Sequence, residues 1–266
     1  MAQLRLPRPA APARISADYY RALDPVLRAL KVELDRFVRE LEALWPQDKR
    51  ADASGDPIQR LLDETARRLG RLGPTHESLK KLTLKYGQQT ADLQKRQLLN
   101  QARAAVGVDL LTAKGLDAGI AAAVSDFAVE NVKLVQSLGP RLSDDLAKLV
   151  SRATLSGSRW ETIARELVER GTVTEDRAKL IARDQVGKLY GQVNGQRQQN
   201  LGVTTYVWRT VRDNRVREEH EDREGESYTW TDPPDDGHPG EAVNCRCYAE
   251  PDFSDLELDG AFLGKL

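Results

Sequence analysis

The sequence predicts a mainly α protein, with a long helical body followed by a small C-terminal α+β module. Up to about residue 200, apolar residues recur every three or four positions, which is the period of amphipathic helices. Beyond Leu201-Gly202, β-branched and aromatic residues alternate with polar ones, a pattern that favours strands. These patterns divide the 266 residues into five segments: an extended arm (1–15), an N-terminal helical region (16–110), a helical body (111–202), the α+β module (203–252) and a tail (253–266).

The composition fits a soluble helix-rich protein better than a membrane protein, and it shows a strong charge asymmetry. No run of about eighteen apolar residues occurs, and the first fifteen residues lack the apolar core of a signal peptide. We therefore expect synthesis in the cytoplasm and no membrane partner. The net charge is -1, yet residues 213–259 carry sixteen acidic and four basic residues. The basic excess before residue 213 is consistent with nonspecific DNA contact or with ordinary solvated helix faces.

The first fifteen residues are predicted to be extended. Proline removes a backbone donor and fixes φ, so the arm needs a partner to become ordered or else is a mobile terminus. The arm contains three prolines and three arginines: Pro7, Pro9 and Pro12 with Arg5, Arg8 and Arg14.

The first long helix is predicted to begin at Asp24-Pro25, because proline suits the first helical position. An apolar seam follows at alternating steps of three and four and ends before Trp45-Pro46: Leu27, Leu30, Leu34, Phe37, Leu41 and Leu44. Such a seam is either a buried face within a bundle or a docking surface for a partner helix.

Further helices follow, separated by glycine and proline. A linker at 47–57 precedes a helix over 58–72, and a helix over 75–106 is predicted to be interrupted near Tyr86-Gly87. Gly139-Pro140 is expected to close a helix over 120–138, and Gly171 to cap a later one. The remaining helices are predicted over 142–155 and from 174 onwards, the last fraying between Gln192 and Asn200.

Three strands are predicted in the module. The first covers 203–211, and the others cover 228–231 and 243–248, with a loop rich in Pro, Asp and Gly at 232–240 between them.

Within this layout, an ordered series of short motifs resembles the phage Mu protein F-like minor head proteins, also called phage head morphogenesis proteins of tailed bacteriophages. The resemblance covers about residues 120–250. The motifs are Ile181-Ala182-Arg183-Asp184, Asn194, Leu201-Gly202-Val203, Tyr206-Val207-Trp208-Arg209-Thr210, Asp213-Asn214-Arg215-Val216-Arg217, His220, Gly225, Pro239 and Asn244-Cys245-Arg246-Cys247. The chain departs from the family at Asp184-Gln185, where Thr-Glu is usual.

The resemblance implies a structural protein without catalytic residues. It implies several copies per virion, in the capsid interior or at the portal vertex, acting in head assembly and genome packaging or delivery. The portal protein is the implied partner, with the major capsid protein as a further candidate and packaged DNA nearby. The alternative function is a metal-dependent nuclease, or another enzyme, carried on the C-terminal module.

Four side chains in the module are candidate metal ligands: His220, His238, Cys245 and Cys247. Alternate residues of a strand project to one face, so both thiols can reach one ion, and the candidate cofactor is a structural zinc. The spacing matches no standard zinc motif, and three interpretations stay open. The thiols either bind metal, pack as small buried groups beside a hydrogen-bonded His220, or form a strained disulfide.

A structural network of arginines around one carboxylate is also predicted. Arginine binds carboxylates through two parallel hydrogen bonds, so it can hold a turn without a large core. The candidates are Arg183, Asp213, Arg215, Arg217 and Arg246. A catalytic pairing of Asp213 with His220 is the alternative, but no nucleophile motif accompanies it, and the acidic surroundings disfavour a nuclease because they repel phosphates.

Overall fold

A computed structural model of the protein describes residues 6–45, 55–107, 110, 113 and 115–255. It confirms the mainly α fold with a small sheet at the C-terminal end. The helices are α1 (Ala13–Ala22), α2 (Asp24–Leu44), α3 (Gly55–Arg71), α4 (His76–Val106), α5 (Ile120–Gln136), α6 (Leu138–Ser156) and α7 (Trp160–Asn200). They are followed by β1 (Thr205–Thr210), the one-turn α8 (Glu218–Glu221), β2 (Ser227–Thr229), β3 (Cys247–Pro251) and a 3₁₀ turn (Phe253–Asp255).

The chain divides into two compact units. The sheet unit comprises Met1–Asp18, Leu82–Val129 and Ala182–Leu266, and the helical unit comprises Tyr19–Lys81 and Glu130–Ile181. The five-segment division remains a prediction, and its linker at 47–54 and its tail beyond residue 255 lie outside the described residues. Across the parts of the chain that the structure describes, no helix has both the length and the apolar content that crossing a membrane requires.

The helical unit buries the apolar seam of α2. Five of the six seam residues are buried, with Phe37 and Leu41 fully so, while Leu44 at the end is exposed. Each buried Leu or Phe contributes about 1.5–3 kcal/mol, so the seam is a core face of this unit. Arg68 of α3 holds α3 against α2, since its guanidinium pairs with Glu33 and Glu40 of α2.

Two glycines predicted to break or cap helices, Gly87 and Gly171, instead lie inside helices, which corrects those sequence-based boundaries. The predicted break near Gly139 is present, because α5 ends at Gln136 and α6 begins at Leu138. A Cβ at Gly87 of α4 would lie 3.0 Å from the Phe127 ring, and one at Gly171 of α7 would lie 3.2 Å from Leu34. In α6, a Cβ at Gly139 would lie 2.4 Å from the Leu69 carbonyl oxygen. The missing side chains allow close contact, which outweighs the roughly 1 kcal/mol that glycine costs in a helix interior.

The N-terminal arm is ordered from residue 6 by its own chain. Gln97 and Gln101 of α4 donate side-chain hydrogen bonds to the carbonyls of Ala10 (2.8 Å) and Pro7 (3.2 Å). The predicted arm is also shorter than expected, because α1 begins at Ala13. Proline-rich backbone leaves its carbonyls free to accept, and the glutamines satisfy two of them.

The three strands form one antiparallel sheet in the order β2-β1-β3. Tyr206 pairs with Tyr228 on one side and Pro251 on the other, and Trp208 pairs with Ala249. The last strand begins later than predicted, at Cys247, because Asn244 adopts a left-handed conformation with φ of 57°. Asparagine tolerates that conformation better than most residues, and it ends extended pairing at that position.

Among the residues that the structure describes, two apolar clusters lie in the core of the sheet unit. The larger joins α4, the following loop and the end of α7: Leu98, Leu99, Ala102, Leu110, Leu116, Leu201, Val203 and Phe253. The smaller lies on the sheet and has only three buried members, Tyr206, Trp208 and Ala249, flanked by partly buried Tyr228, Trp230 and Cys247. The sheet itself therefore rests on a small apolar core.

Candidate metal centre

Three of the four predicted ligands come together in the sheet unit. His220 of α8 is buried, with 2% of its surface exposed, while Cys245 and Cys247 are half-buried. The Nδ1 atom of His220 lies 3.6 Å from the Cys245 sulfur and 3.4 Å from the Cys247 sulfur. One imidazole nitrogen therefore faces both thiols, although 25 residues separate His220 from Cys245.

The other side of the His220 ring faces a carboxylate that the sequence did not single out. Nε2 lies 2.8 Å from Asp236, whose second oxygen accepts a hydrogen bond from Arg223 (2.5 Å). Burial raises the pKa of Asp236, but hydrogen bonds from His220 and Arg223 lower it by more, so its pKa is below the ordinary value. An ionised carboxylate only accepts, so Nε2 is the donor. The expected alternative partner, Asp213, does not take this place.

An aromatic ring encloses this arrangement from one side. Trp208 of β1 meets the His220 ring edge to face, with centroids 5.2 Å apart, and Arg223 lies over the indole at 5.0 Å. Trp208 is almost fully buried, and its Nε1 has no hydrogen-bond partner among the described residues. The imidazole is thus held by a carboxylate at one edge and by an indole beside it.

The two thiols differ in their electrostatics. Hydrogen bonding with Cys247 lowers the pKa of Cys245 to about 5 against the opposing effect of burial, with further hydrogen bonds from backbone N–H groups. Those groups are the amides of Gly240, at 3.3 Å, and of Cys247, at 3.5 Å. Hydrogen bonding with Cys245 and burial raise the pKa of Cys247. The surroundings therefore stabilise one thiolate at Cys245 before the second forms.

The segment that carries the cysteines is held in place by α7. Asp184 accepts the backbone N–H of Asn244 at 2.7 Å, and Arg183 donates to the Asn244 side chain at 2.9 Å. These two contacts fix the left-handed residue immediately before Cys245. Asp184, where the family usually has threonine, thus has a structural role here.

The predicted arginine network surrounds the same segment. Arg246 pairs with Asp213 at 2.5 Å, and Arg215 pairs with it at 3.5 Å. Arg217 donates to the Val243 carbonyl at 2.7 Å. All five predicted network residues therefore lie around residues 243–247. They do not form one network: Arg183 binds Asn244, Arg217 binds Val243, and Asp213 pairs with Arg215 and Arg246.

His238 is not part of the cluster that His220 forms with the two thiols. Its Nδ1 lies 2.9 Å from the Tyr206 hydroxyl, and its ring packs 4.9 Å from that of Trp230. Ring packing and a tyrosine hydrogen bond account for its position. Its residue type predicted a ligand, but the loop at 232–240 places its side chain against Tyr206 and Trp230 of the sheet region.

A buried polar network connects α7 to β3 and α4, in the stretch predicted to fray. Asn194 and Gln198 both donate to the Ala249 carbonyl, at 2.8 and 3.0 Å. Gln94 of α4 donates to Asn194 at 2.8 Å, and Arg197 donates to Gln94 at 2.6 Å. This network was not predicted from the sequence, although a pair of amides four residues apart on one helix face is its signal.

A cavity of about 360 Å³ lies beside the cysteines. Cys245 and Cys247 line it together with Tyr190 and Lys188 of α7 and residues 9–13 of the arm. Its walls are mainly apolar, so the arm shields one side of the cysteine segment.

Residues 144–250 match the family model described as Phage Mu protein F like protein. This part of the chain is similar to the Phage Mu F-like proteins. The Mu F-like region contains most of α6, all of α7 and the sheet to within one residue of its end. It includes every residue of the candidate metal centre, and it confirms the resemblance identified from the motifs.

A relative from Haemophilus influenzae, an uncharacterized protein, is 30% identical over 146 residues. The matched part covers 54% of this chain and 33% of the relative. The chain therefore spans about a third of the length of the relative that it matches. No solved structure matches the chain.

Proposed function

We propose that this protein is a minor structural component of the head of a tailed bacteriophage, present in several copies inside the capsid or at the portal vertex. It acts in head assembly and genome packaging or delivery by binding neighbouring head proteins, with the portal protein as the principal partner. The observation that carries this proposal is the Mu F-like match over residues 144–250.

The surface charge of the Mu F-like region supports a protein partner for this face rather than DNA. We define the acidic face as the exposed carboxylates on and after α8: Glu218, Glu219, Glu221, Asp222, Glu226, Asp232 and Asp235. None of them pairs with a basic side chain among the described residues. A face of one sign repels the phosphate backbone and attracts a basic protein surface. The acidic face is therefore the proposed contact with the portal.

The apolar seam of α2 is not the proposed contact with a partner protein, because it is buried in the helical unit. Carbonyls of the arm, at Pro7 and Ala10, are likewise bound by α4. Adhesion therefore depends on exposed charged surface, and we expect it to weaken as salt screens the charges.

Localisation in particles and capture of the portal protein together test the proposal. Particles of the phage that encodes the chain should contain it at a vertex or on the inner capsid wall, as seen by electron microscopy with a labelled chain. Purified portal protein should be retained by the immobilised chain at low salt. Absence from particles together with no retention of portal protein would refute the proposal.

A matched pair of variants tests the acidic face. Glu219→Lys with Glu221→Lys reverses two charges on α8, and we expect portal retention to fall. Glu169→Lys with Glu175→Lys makes the same change in net charge on exposed positions of the helical unit, and retention should persist. Equal loss in both variants would show that net charge matters and the acidic face does not.

A further inference from the structure

We propose that His220, Cys245 and Cys247 bind one Zn²⁺ through Nδ1 and two thiolates, that water is the fourth ligand, and that the ion braces α8 against the start of β3. This site goes beyond the proposed role in the phage head, because binding of zinc and binding of head proteins are independent properties. Asp236 acts as a positioning residue that orients the imidazole.

The spacing of the three ligand atoms fits a tetrahedral ion. Zinc lies about 2.3 Å from sulfur and about 2.0 Å from nitrogen, so the nitrogen and sulfur ligands of one tetrahedral ion are about 3.5 Å apart. The observed distances from Nδ1 of His220 are 3.4 Å to Cys247 and 3.6 Å to Cys245. All three ligand atoms lie within 4.8 Å of one another. The ligands therefore need little movement to surround the ion.

The tautomer of His220 is the one that a metal ligand requires. Nε2 lies 2.8 Å from the Asp236 carboxylate, which can only accept, so Nε2 carries the proton. Nδ1 then presents its lone pair to both thiols. A carboxylate that accepts from the far nitrogen is the usual support of a zinc-bound histidine. Without an ion, the Nδ1 lone pair of His220 can accept a hydrogen bond from at most one of the two thiols that face it.

Backbone and aromatic groups prepare the sulfur atoms for a cation. The amides of Gly240 and Cys247 point at the Cys245 sulfur, at 3.3 and 3.5 Å, and stabilise negative charge on it. The buried Trp208 closes one side of the site, since its ring meets that of His220 edge to face with centroids 5.2 Å apart. Two thiolates and one imidazole are a soft donor set that suits zinc and disfavours magnesium or calcium.

A bracing ion has a clear physical use here. Within the described part of the chain, the apolar cluster on the sheet has three buried members, and α8 is a single turn. Small units with little apolar core commonly gain stability from a metal, because the binding free energy adds to the folding free energy. One ion would join His220 to the segment that Arg183 and Asp184 hold against α7.

Metal content and the spectrum of a cobalt-substituted protein test the site. The full-length chain, purified without a metal-affinity tag, should contain about one zinc per molecule. After removal of zinc with a chelator, Co²⁺ should produce thiolate-to-cobalt charge-transfer absorption and the intense visible bands of tetrahedral cobalt. Added Zn²⁺ should displace the cobalt and raise the melting temperature. Protein without zinc that also gives no thiolate–cobalt absorption would overturn the proposal.

Variants separate the ligands from their neighbours. Cys245→Ser and Cys247→Ser should abolish the charge-transfer band, and Asp236→Asn should weaken zinc binding by about 10–100-fold. His238→Ala is the matched control outside the cluster, and it should bind metal like the unaltered chain. The Asp236→Asn affinity is decisive, since this variant keeps all three ligands. Unchanged affinity in Asp236→Asn, or equal loss in His238→Ala, would contradict the site.

Discussion

Two glycines of α7 provide a matched test of how the loop at 232–240 lies against this helix. A Cβ at Gly191 would be 2.8 Å from the Pro239 carbonyl oxygen and 3.2 Å from the Gly240 Cα, whereas a Cβ at Gly187 would meet nothing within 4 Å. Both glycines lie within α7. Replacement by alanine therefore changes helix propensity equally at the two positions and changes packing at only one.

The expected effects have opposite signs. Alanine in a helix interior is about 0.5–1 kcal/mol more favourable than glycine, so Gly187→Ala should stabilise the protein by about that amount. Gly191→Ala gains the same helix-propensity stabilisation, but its new Cβ forces the helix and the loop apart. Overpacking of this kind costs about 1–3 kcal/mol. The propensity term cancels in the comparison. The two variants should therefore differ in free energy of unfolding by about 1–3 kcal/mol, with Gly191→Ala the less stable.

Urea denaturation followed by circular dichroism measures this difference. A second readout is the rate at which a thiol reagent modifies Cys245. The Gly240 amide donates to its sulfur, so displacement of the loop should change that rate in Gly191→Ala and leave it unchanged in Gly187→Ala. Equal and same-sign changes in stability would refute the close contact between α7 and this loop.

Three further outcomes follow from the sheet unit. Burial raises the pKa of Glu224, but hydrogen bonds from the Thr210 amide and from Arg212 lower it by more, to below its ordinary 4.5. The stabilisation that ionised Glu224 provides is present above pH 4.5 and is lost as the pH falls through the lowered pKa. The urea midpoint of Glu224→Gln should therefore change less with falling pH than that of an exposed control, Glu226→Gln. Asn194→Ala should lower the free energy of unfolding, measured by urea denaturation, by about 1–3 kcal/mol, because it leaves a buried amide without a hydrogen-bond partner. Gln192→Ala, at an exposed position, should change it little. Equal losses in the two variants would contradict the role of the buried polar network. Incubation of plasmid DNA with Mg²⁺, Mn²⁺ or Zn²⁺ should give no cleavage above background, and cleavage that His220→Ala removes would overturn the structural assignment.

The fold was predictable where local pattern determines structure. Proline at the first helical position located the start of α2 at Asp24, the apolar period located its buried face, and alternation located β1. The errors occurred at glycines. Gly87 and Gly171 have the local character of helix breaks, yet each lies where a neighbouring side chain packs closely. Local propensity is worth about 1 kcal/mol at such a position, and tertiary packing outweighs it.

The candidate site was predictable in its residue types but not in its geometry. The rarity of histidine and cysteine identified His220, Cys245 and Cys247 from the sequence. His238 met the same criterion and lies elsewhere, against Tyr206. Asp236 gave no signal, since it is one of many acidic residues in its region. Its role depends only on which atom it faces.

The amino-acid sequence by itself determined the helical body, the position of the sheet, the Mu F-like motifs and the small set of soft ligands. These properties follow from the order of residues, because periodicity and rare residue types are local. Only the tertiary structure decided that one nitrogen of His220 faces two sulfurs while the other faces Asp236. The orientation of the His220 ring depends on how α7, α8 and β3 pack, and this packing arises from contacts between residues far apart in the chain.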